Sequence, residues 1–174
     1  IEDVIKSFYY LHRYIDAKSK LWLVGIDTDT ELYSFSLRRL VRTLLLDDAV
    51  EFVGGATDEE VRALYEASST YLCMSEHEGF CLPLIEAMHF GLPVVAYGAG
   101  AVAETVGNGG VVVCEKRHAE IGALLHQLST PGDLRAKLIA KGKERVRSFS
   151  FETFQNRVRE LLGGGTKQQE AHGA

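Results

Sequence analysis

Two glutamates, Glu78 and Glu86, bracket a run of small and apolar residues, Gly79-Phe80-Cys81-Leu82-Pro83-Leu84-Ile85. The run reads as the junction between a strand end and a helix start. Pro83 suits the first helical turn, where its missing N–H costs nothing. A helix start presents unpaired N–H groups and the positive end of the helix dipole, which together can hold a phosphate. Gly79 lets a ligand approach the backbone closely. With Pro83 as the first helical residue, Glu86 falls at the end of the first turn, where a carboxylate can accept two hydrogen bonds from a vicinal diol such as a ribose. Glu78 lies in the preceding loop. The two acids therefore share no helical face, and they suit opposite ends of a long ligand better than a close acid/base pair. The plainer alternative for the same residues is a strand–helix turn with two solvated acids.

Other residues of chemical interest have plain readings. Asp27-Thr28-Asp29 is a paired-carboxylate pattern of the kind that holds a divalent ion on a diphosphate, but it follows a predicted strand and reads as a solvated turn. Cys73, His77 and Cys81 are soft ligands at even spacing. Zinc would need a fourth, such as His89, and ordinary packing of Cys73 with loop roles for the others is the simpler expectation. No metal site is expected. Arg38, Arg39 and Arg42 cluster on one helix as a solvated face. Tyr9 and Tyr10 read as core and rim. Gly98-Ala99-Gly100 follows a strand and can approach a ligand or simply turn the chain. No Ser-His-Asp or Cys-His arrangement stands out.

The elements that must position these residues alternate between helical and strand patterns. Val4, Phe8, Leu11 and Ile15 mark one helix face, and Leu37, Leu40, Val41 and Leu44 another. Strands are expected at Leu21 to Ile26, Val50 to Val53, Thr70 to Met74, Val94 to Tyr97 and Gly110 to Val113. Thr57 and Glu60 form a capping box for the helix bearing Val61, Leu64 and Tyr65. Gly91 suits a helix C-terminus, with Pro93 preventing continuation. Three helices follow: Arg117 to Leu128, one after Pro131, and Ser150 to Leu162. This is the pattern of an α/β, Rossmann-like, doubly wound parallel sheet with helices on both faces and a helical C-terminus. In such sheets ligands bind beyond the carboxyl ends of the strands. Residues 1–162 are expected to form the domain and 163–174 a flexible tail. The chain opens on a helix, whereas the doubly wound unit starts with a strand that is central in the six-strand order, so a fragment of a longer protein is expected.

Glu78-Gly79-Phe80-Cys81-Leu82-Pro83-Leu84-Ile85-Glu86-Ala87-Met88, continued by Gly91-Leu92-Pro93-Val94-Val95-Ala96, resembles the signature of family-4 glycosyltransferases of the GT-B fold. Val50-Glu51-Phe52-Val53-Gly54, Leu64-Tyr65 and Ala103-Glu104-Thr105-Val106 also look like the family. The similarity runs from about Leu21 to Leu162. It implies the donor-binding half of a retaining glycosyltransferase that takes a nucleoside diphosphate sugar. By resemblance, Glu86 is expected on the nucleotide ribose and Glu78, the residue assigned to catalysis, on hydroxyls of the transferred sugar. Backbone N–H groups of Gly79, Phe80, Cys81 and Leu82 are expected near the sugar and diphosphate. Val53 and Gly54 are expected to end the strand that lines the base pocket. The family's diphosphate-holding Arg and Lys, and its N-terminal acceptor domain, would precede Ile1. No cofactor or metal is implied, because the nucleotide sugar is a substrate. The alternatives are a non-catalytic α/β binding module and a nucleotide-sugar epimerase of the same fold.

Composition limits the remaining choices. The 174 residues suit one domain, and 46% hydrophobic with 25% charged residues reads as soluble and globular. A net charge of −5 argues against general nucleic-acid binding. Three cysteines give no disulfide framework and favour a reducing compartment, so a cytoplasmic location is expected. No apolar run reaches spanning length, and peripheral membrane contact stays open.

Overall fold

The structure, a computed structural model, describes residues 1–25 and 31–163. Its elements run α1 (Glu2–Tyr14), β1 (Leu21–Val24), α2 (Glu31–Thr43), β2 (Val50–Val53), α3 (Asp58–Ala67), β3 (Tyr71–Cys73) and α4 (Leu82–His89). They continue as β4 (Val94–Tyr97), α5 (Val102–Val106), β5 (Val111–Val113), α6 (His118–Ser129), α7 (Asp133–Arg147) and α8 (Phe151–Gly163). Gly163 thus ends α8, and 164–174 lie outside the described residues.

Local signals account for most element ends. Thr57 accepts from the Glu60 N–H while the Glu60 carboxylate accepts from the Thr57 N–H, the expected capping box at α3. Gly91 follows α4 at φ +77°, a left-handed turn that a side chain would strain. One boundary differs from expectation. Leu82, not Pro83, is the first residue of α4, because Cys81 takes a left-handed N-cap conformation (φ 54°) and turns the chain into the helix there. Pro83 is then second, and Glu86 sits in the second turn rather than at the end of the first.

All strand pairs are parallel, β1 with β2, β3 with β4, and β4 with β5. The expected doubly wound, parallel α/β architecture is present, and the described strands form two ladders, ordered β1-β2 and β3-β4-β5. Counting β1 to β5 as the second to sixth strands of the six-strand order 3-2-1-4-5-6 gives 3-2 and 4-5-6. The central position between them is filled by none of the described residues, which is why no ladder joins β1 to β3.

Both faces of the three-stranded sheet are covered. Leu72, Val95, Val111 and Val113 face a core shared with α1, α2, α6 and β1-β2, through Ile5, Phe8, Leu37, Leu23, Val50 and Leu125. Tyr71, Cys73, Val94, Ala96 and Val112 face a second core with Leu84, Ala87 and Met88 of α4 and Val102 and Val106 of α5. The period-2 alternation along each strand sends neighbours to opposite cores. Leu84 and Met88 are fully buried, and each such side chain contributes about 2 kcal/mol. Short α5, not expected from the sequence, is thereby held under β4 and β5 by tertiary packing.

Candidate functional site

β3 ends at Cys73, and the loop from Ser75 to Phe80 carries the chain to the N-cap of α4 at Cys81. Three contacts pin this loop. Lys116, just after β5, donates to Glu76 at 2.5 Å and to Asp3 of α1 at 2.6 Å, with Tyr97 under its ammonium. The Glu78 carbonyl accepts from the Ala101 N–H at 3.3 Å. Phe80, half exposed, sets its ring edge-on to Phe149 at 5.1 Å. Gly100, at φ +55°, lies against the Glu78 carbonyl so closely that a Cβ would overlap it. The loop after β4 is thereby locked to the loop after β3. Of Gly98-Ala99-Gly100, which could approach a ligand or turn the chain, Gly100 makes a close approach to the motif's own backbone.

Among the described residues, nothing accepts from the N–H groups of Gly79, Phe80, Cys81 or Leu82. They cluster at the positive end of α4, where an anion is favoured.

The two motif glutamates have different surroundings. Glu86, half buried on α4, accepts a hydrogen bond from the Tyr65 hydroxyl at 3.1 Å through Oε2. Tyr65 comes from α3 and stacks on Phe90 at 5.2 Å and 9°. Burial first, then the Glu86 charge, pushes the Tyr65 phenol above its ordinary range, so it stays a donor. In the sequence Tyr65 stands out as a helix residue and as part of the family-like pair Leu64-Tyr65, with no role in the site attached to it. Its spacing from Glu86 carries no local signal, because the contact joins two helices.

Glu78 is half buried beside two thiols. Cys73 and Cys81 place their Sγ atoms 3.9 Å apart, and a Glu78 carboxylate oxygen completes a trio of ligand atoms that all lie within 4.8 Å of one another. This corrects the separate roles expected for the two cysteines: the αL turn at Cys81 folds its side chain back onto the end of β3. Neither His77, exposed in the loop, nor His89, on the last turn of α4 against Phe90, belongs to this group. Burial, then Cys73 and Glu78, pushes the Cys81 thiol up to about 12.

The remaining residues fall into place around this segment. Val53 ends β2 and Gly54 follows it, at the carboxyl end of the two-stranded sheet. Arg38 lies over the Phe52 ring at 4.3 Å, and Arg42 meets Asp47 at 3.7 Å. Tyr9 packs against the first core and Tyr10 is at its rim. Asp27, Thr28 and Asp29 lie outside the described residues. No helix among the described residues is long and apolar enough to cross a membrane.

Known proteins match both this sequence and this fold. Residues 1–145 fit the family model described as "Glycosyl transferases group 1". The MMP alpha-(1->4)-mannosyltransferase of Mycolicibacterium hassiacum is 37% identical over 120 residues, 66% of this chain and 29% of that protein. The crystal structure of the C-terminal domain of LpcC, a group 1 glycosyl transferase of Francisella tularensis, has a TM-score of 0.71 at 25% identity. That alignment covers 85% of this chain and 77% of the other. Anabaena Alr3699/HepE, solved in complex with UDP-glucose, has a TM-score of 0.73 at 22% identity over 91% of this chain and 44% of that one. The chain spans less than a third of the mannosyltransferase and less than half of HepE. With its parallel α/β architecture and the motif from Glu78 to Glu86 read together with these matches, the chain belongs to the group 1 glycosyl transferases and has the fold of their C-terminal, GT-B domain.

Proposed function

We propose that this chain binds the nucleoside diphosphate sugar of a retaining glycosyltransferase. The observation that carries the reading is the set of four N–H groups, Gly79 to Leu82, that no described residue claims at the start of α4, with Glu86 held by Tyr65 on the next turn. The N–H groups suit a diphosphate and the transferred sugar. Glu86, with Oε2 fixed by Tyr65, presents its other oxygen to a ribose diol. Glu78 takes hydroxyls of the transferred sugar, and Val53 and Gly54 line the base pocket. A relative named as a mannosyltransferase and a structural neighbour holding UDP-glucose both support a sugar nucleotide as the ligand class.

In this proposal the chain supplies position and charge complementarity. The leaving phosphate takes the acceptor's proton during attack on the same face, and a second domain brings the acceptor. The donor is a substrate, and no cofactor takes part. The proposal includes a cytoplasmic site of action, where free Cys73, Cys81 and Cys114 suit a reducing environment.

Calorimetric titration with UDP, GDP and ADP tests the reading. One of them should bind, and Glu86→Ala should abolish that binding while leaving the circular dichroism spectrum unchanged. Equal affinity in the folded Glu86→Ala variant would refute it.

A further inference from the structure

The trio Cys73, Glu78 and Cys81 is not needed for diphosphate binding, and its chemistry is that of a soft cation. Zinc held by two thiolates at about 2.3 Å each places the sulfurs about 3.8 Å apart in tetrahedral geometry. The observed separation is 3.9 Å, with the Glu78 oxygen within 4.8 Å of both sulfurs. A disulfide would need them at about 2.05 Å. We propose that Cys73, Cys81 and Glu78 form a three-ligand site for a thiophilic divalent cation of the zinc and cadmium class.

The placement of the ligands supports this. Cys73 is fixed at the end of β3, Cys81 is fixed at the N-cap of α4, and Glu78 lies on the loop between them, pinned through its carbonyl by Ala101. The trio is therefore positioned by β3, by α4 and by the loop between them. Two sulfur donors select zinc or cadmium over magnesium or calcium, which prefer all-oxygen shells. Three protein ligands leave a fourth position for water. Two thiolates and a carboxylate outweigh a divalent ion by one negative charge, which the positive end of α4 accommodates.

The site has a consequence that rests on the proposed function. A cation that takes the Glu78 carboxylate removes it from the transferred sugar, so zinc is an inhibitor of sugar-nucleotide binding and not a catalytic partner.

The test is titration of the reduced full chain with Cd2+, read by the ultraviolet thiolate-to-cadmium charge-transfer band, with Zn2+ as competitor. The expected result is one ion per chain. The band should be lost in Cys73→Ser and in Cys81→Ser and kept in Cys114→Ser. Glu78→Gln should weaken the ion by about tenfold, the loss expected for one charged ligand. Circular dichroism confirms folding, and Cys73→Val replaces the serine variant if that one unfolds. No band with excess Cd2+, or an unchanged band in a folded Cys73 or Cys81 variant, overturns the site. Separately, Zn2+ should weaken UDP-glucose or GDP-mannose, whichever binds, by about tenfold. Metal binding with undiminished sugar-nucleotide affinity overturns the inhibitory role. Failure of both sugar nucleotides to bind without zinc counts against the proposed function and leaves the cadmium result standing.

Discussion

Tyr65→Phe removes one oxygen and one hydrogen bond while keeping the ring stacked on Phe90 at 5.2 Å. The lost bond is the 3.1 Å contact to Glu86 Oε2, a hydroxyl donating to a half-buried carboxylate. Bonds to charged groups are worth about 1.5–3 kcal/mol, and water reaching a half-buried acceptor reduces this to about 1–2 kcal/mol. For a chain of this size the melting temperature should fall by about 3–6 °C. Because the phenol is pushed above its ordinary range, the loss should be the same at about pH 6 and about pH 9. A urea-denaturation cycle of Tyr65→Phe, Glu86→Ala and the double variant isolates the pair. The expected coupling is about 1 kcal/mol. Nucleotide titration should show a parallel loss of about fivefold, since a Glu86 free to rotate must be ordered again on binding. Additive variants, or a Tyr65→Phe within about 0.3 kcal/mol of wild type, would refute the claim that Tyr65 orients Glu86.

Gly100→Ala must either abandon φ +55° or push the Glu78 carbonyl away. We expect a cost of about 1–2 kcal/mol and about tenfold weaker nucleotide binding, measured by calorimetry, whereas wild-type affinity would show that the two loops are not coupled. Asp3→Asn tests the network around Lys116. Burial pulls the Asp3 carboxyl upward, but hydrogen bonds from Lys116 and His118 outweigh it and hold the group below its ordinary 3.8. A lowered folded value means the stabilisation is present above about pH 4 and is lost as the pH falls through the folded value. The gap between wild type and Asp3→Asn, about 1 kcal/mol at neutral pH, should close in acid, and a gap constant with pH would contradict the assignment.

The elements that the sequence made legible were those with a local cause. Val50–Val53 and Val94–Tyr97 occur with the predicted bounds, because short apolar runs there end at turn residues. The Thr57–Glu60 box and the Gly91 turn are local in the same sense. The order of the strands had no local cause, since adjacency is decided by the whole topology and not by any one segment. The same holds for α5, whose five residues form under β4 and β5. In the candidate site, Glu78, Glu86 and the intervening backbone were found by their motif. The Tyr65–Glu86 bond and the Cys73–Cys81 approach join residues 21 and 8 positions apart across different elements. Neither contact lies within a single helix or strand, so no local period encodes it and only the folded geometry reveals it.

The divided sheet has a colloidal consequence. Among the described residues β1 has a ladder on one side only, with β2, and β3 on one side only, with β4. Among the described residues, each presents a row of backbone donors and acceptors without a strand partner. β1 is Leu21-Trp22-Leu23-Val24, with no charge and no proline to deter another chain. Taken alone, a chain with such rims can seed its own strand addition. The chain's −5 charge is what opposes it, so added salt should promote association of the isolated chain before heat does.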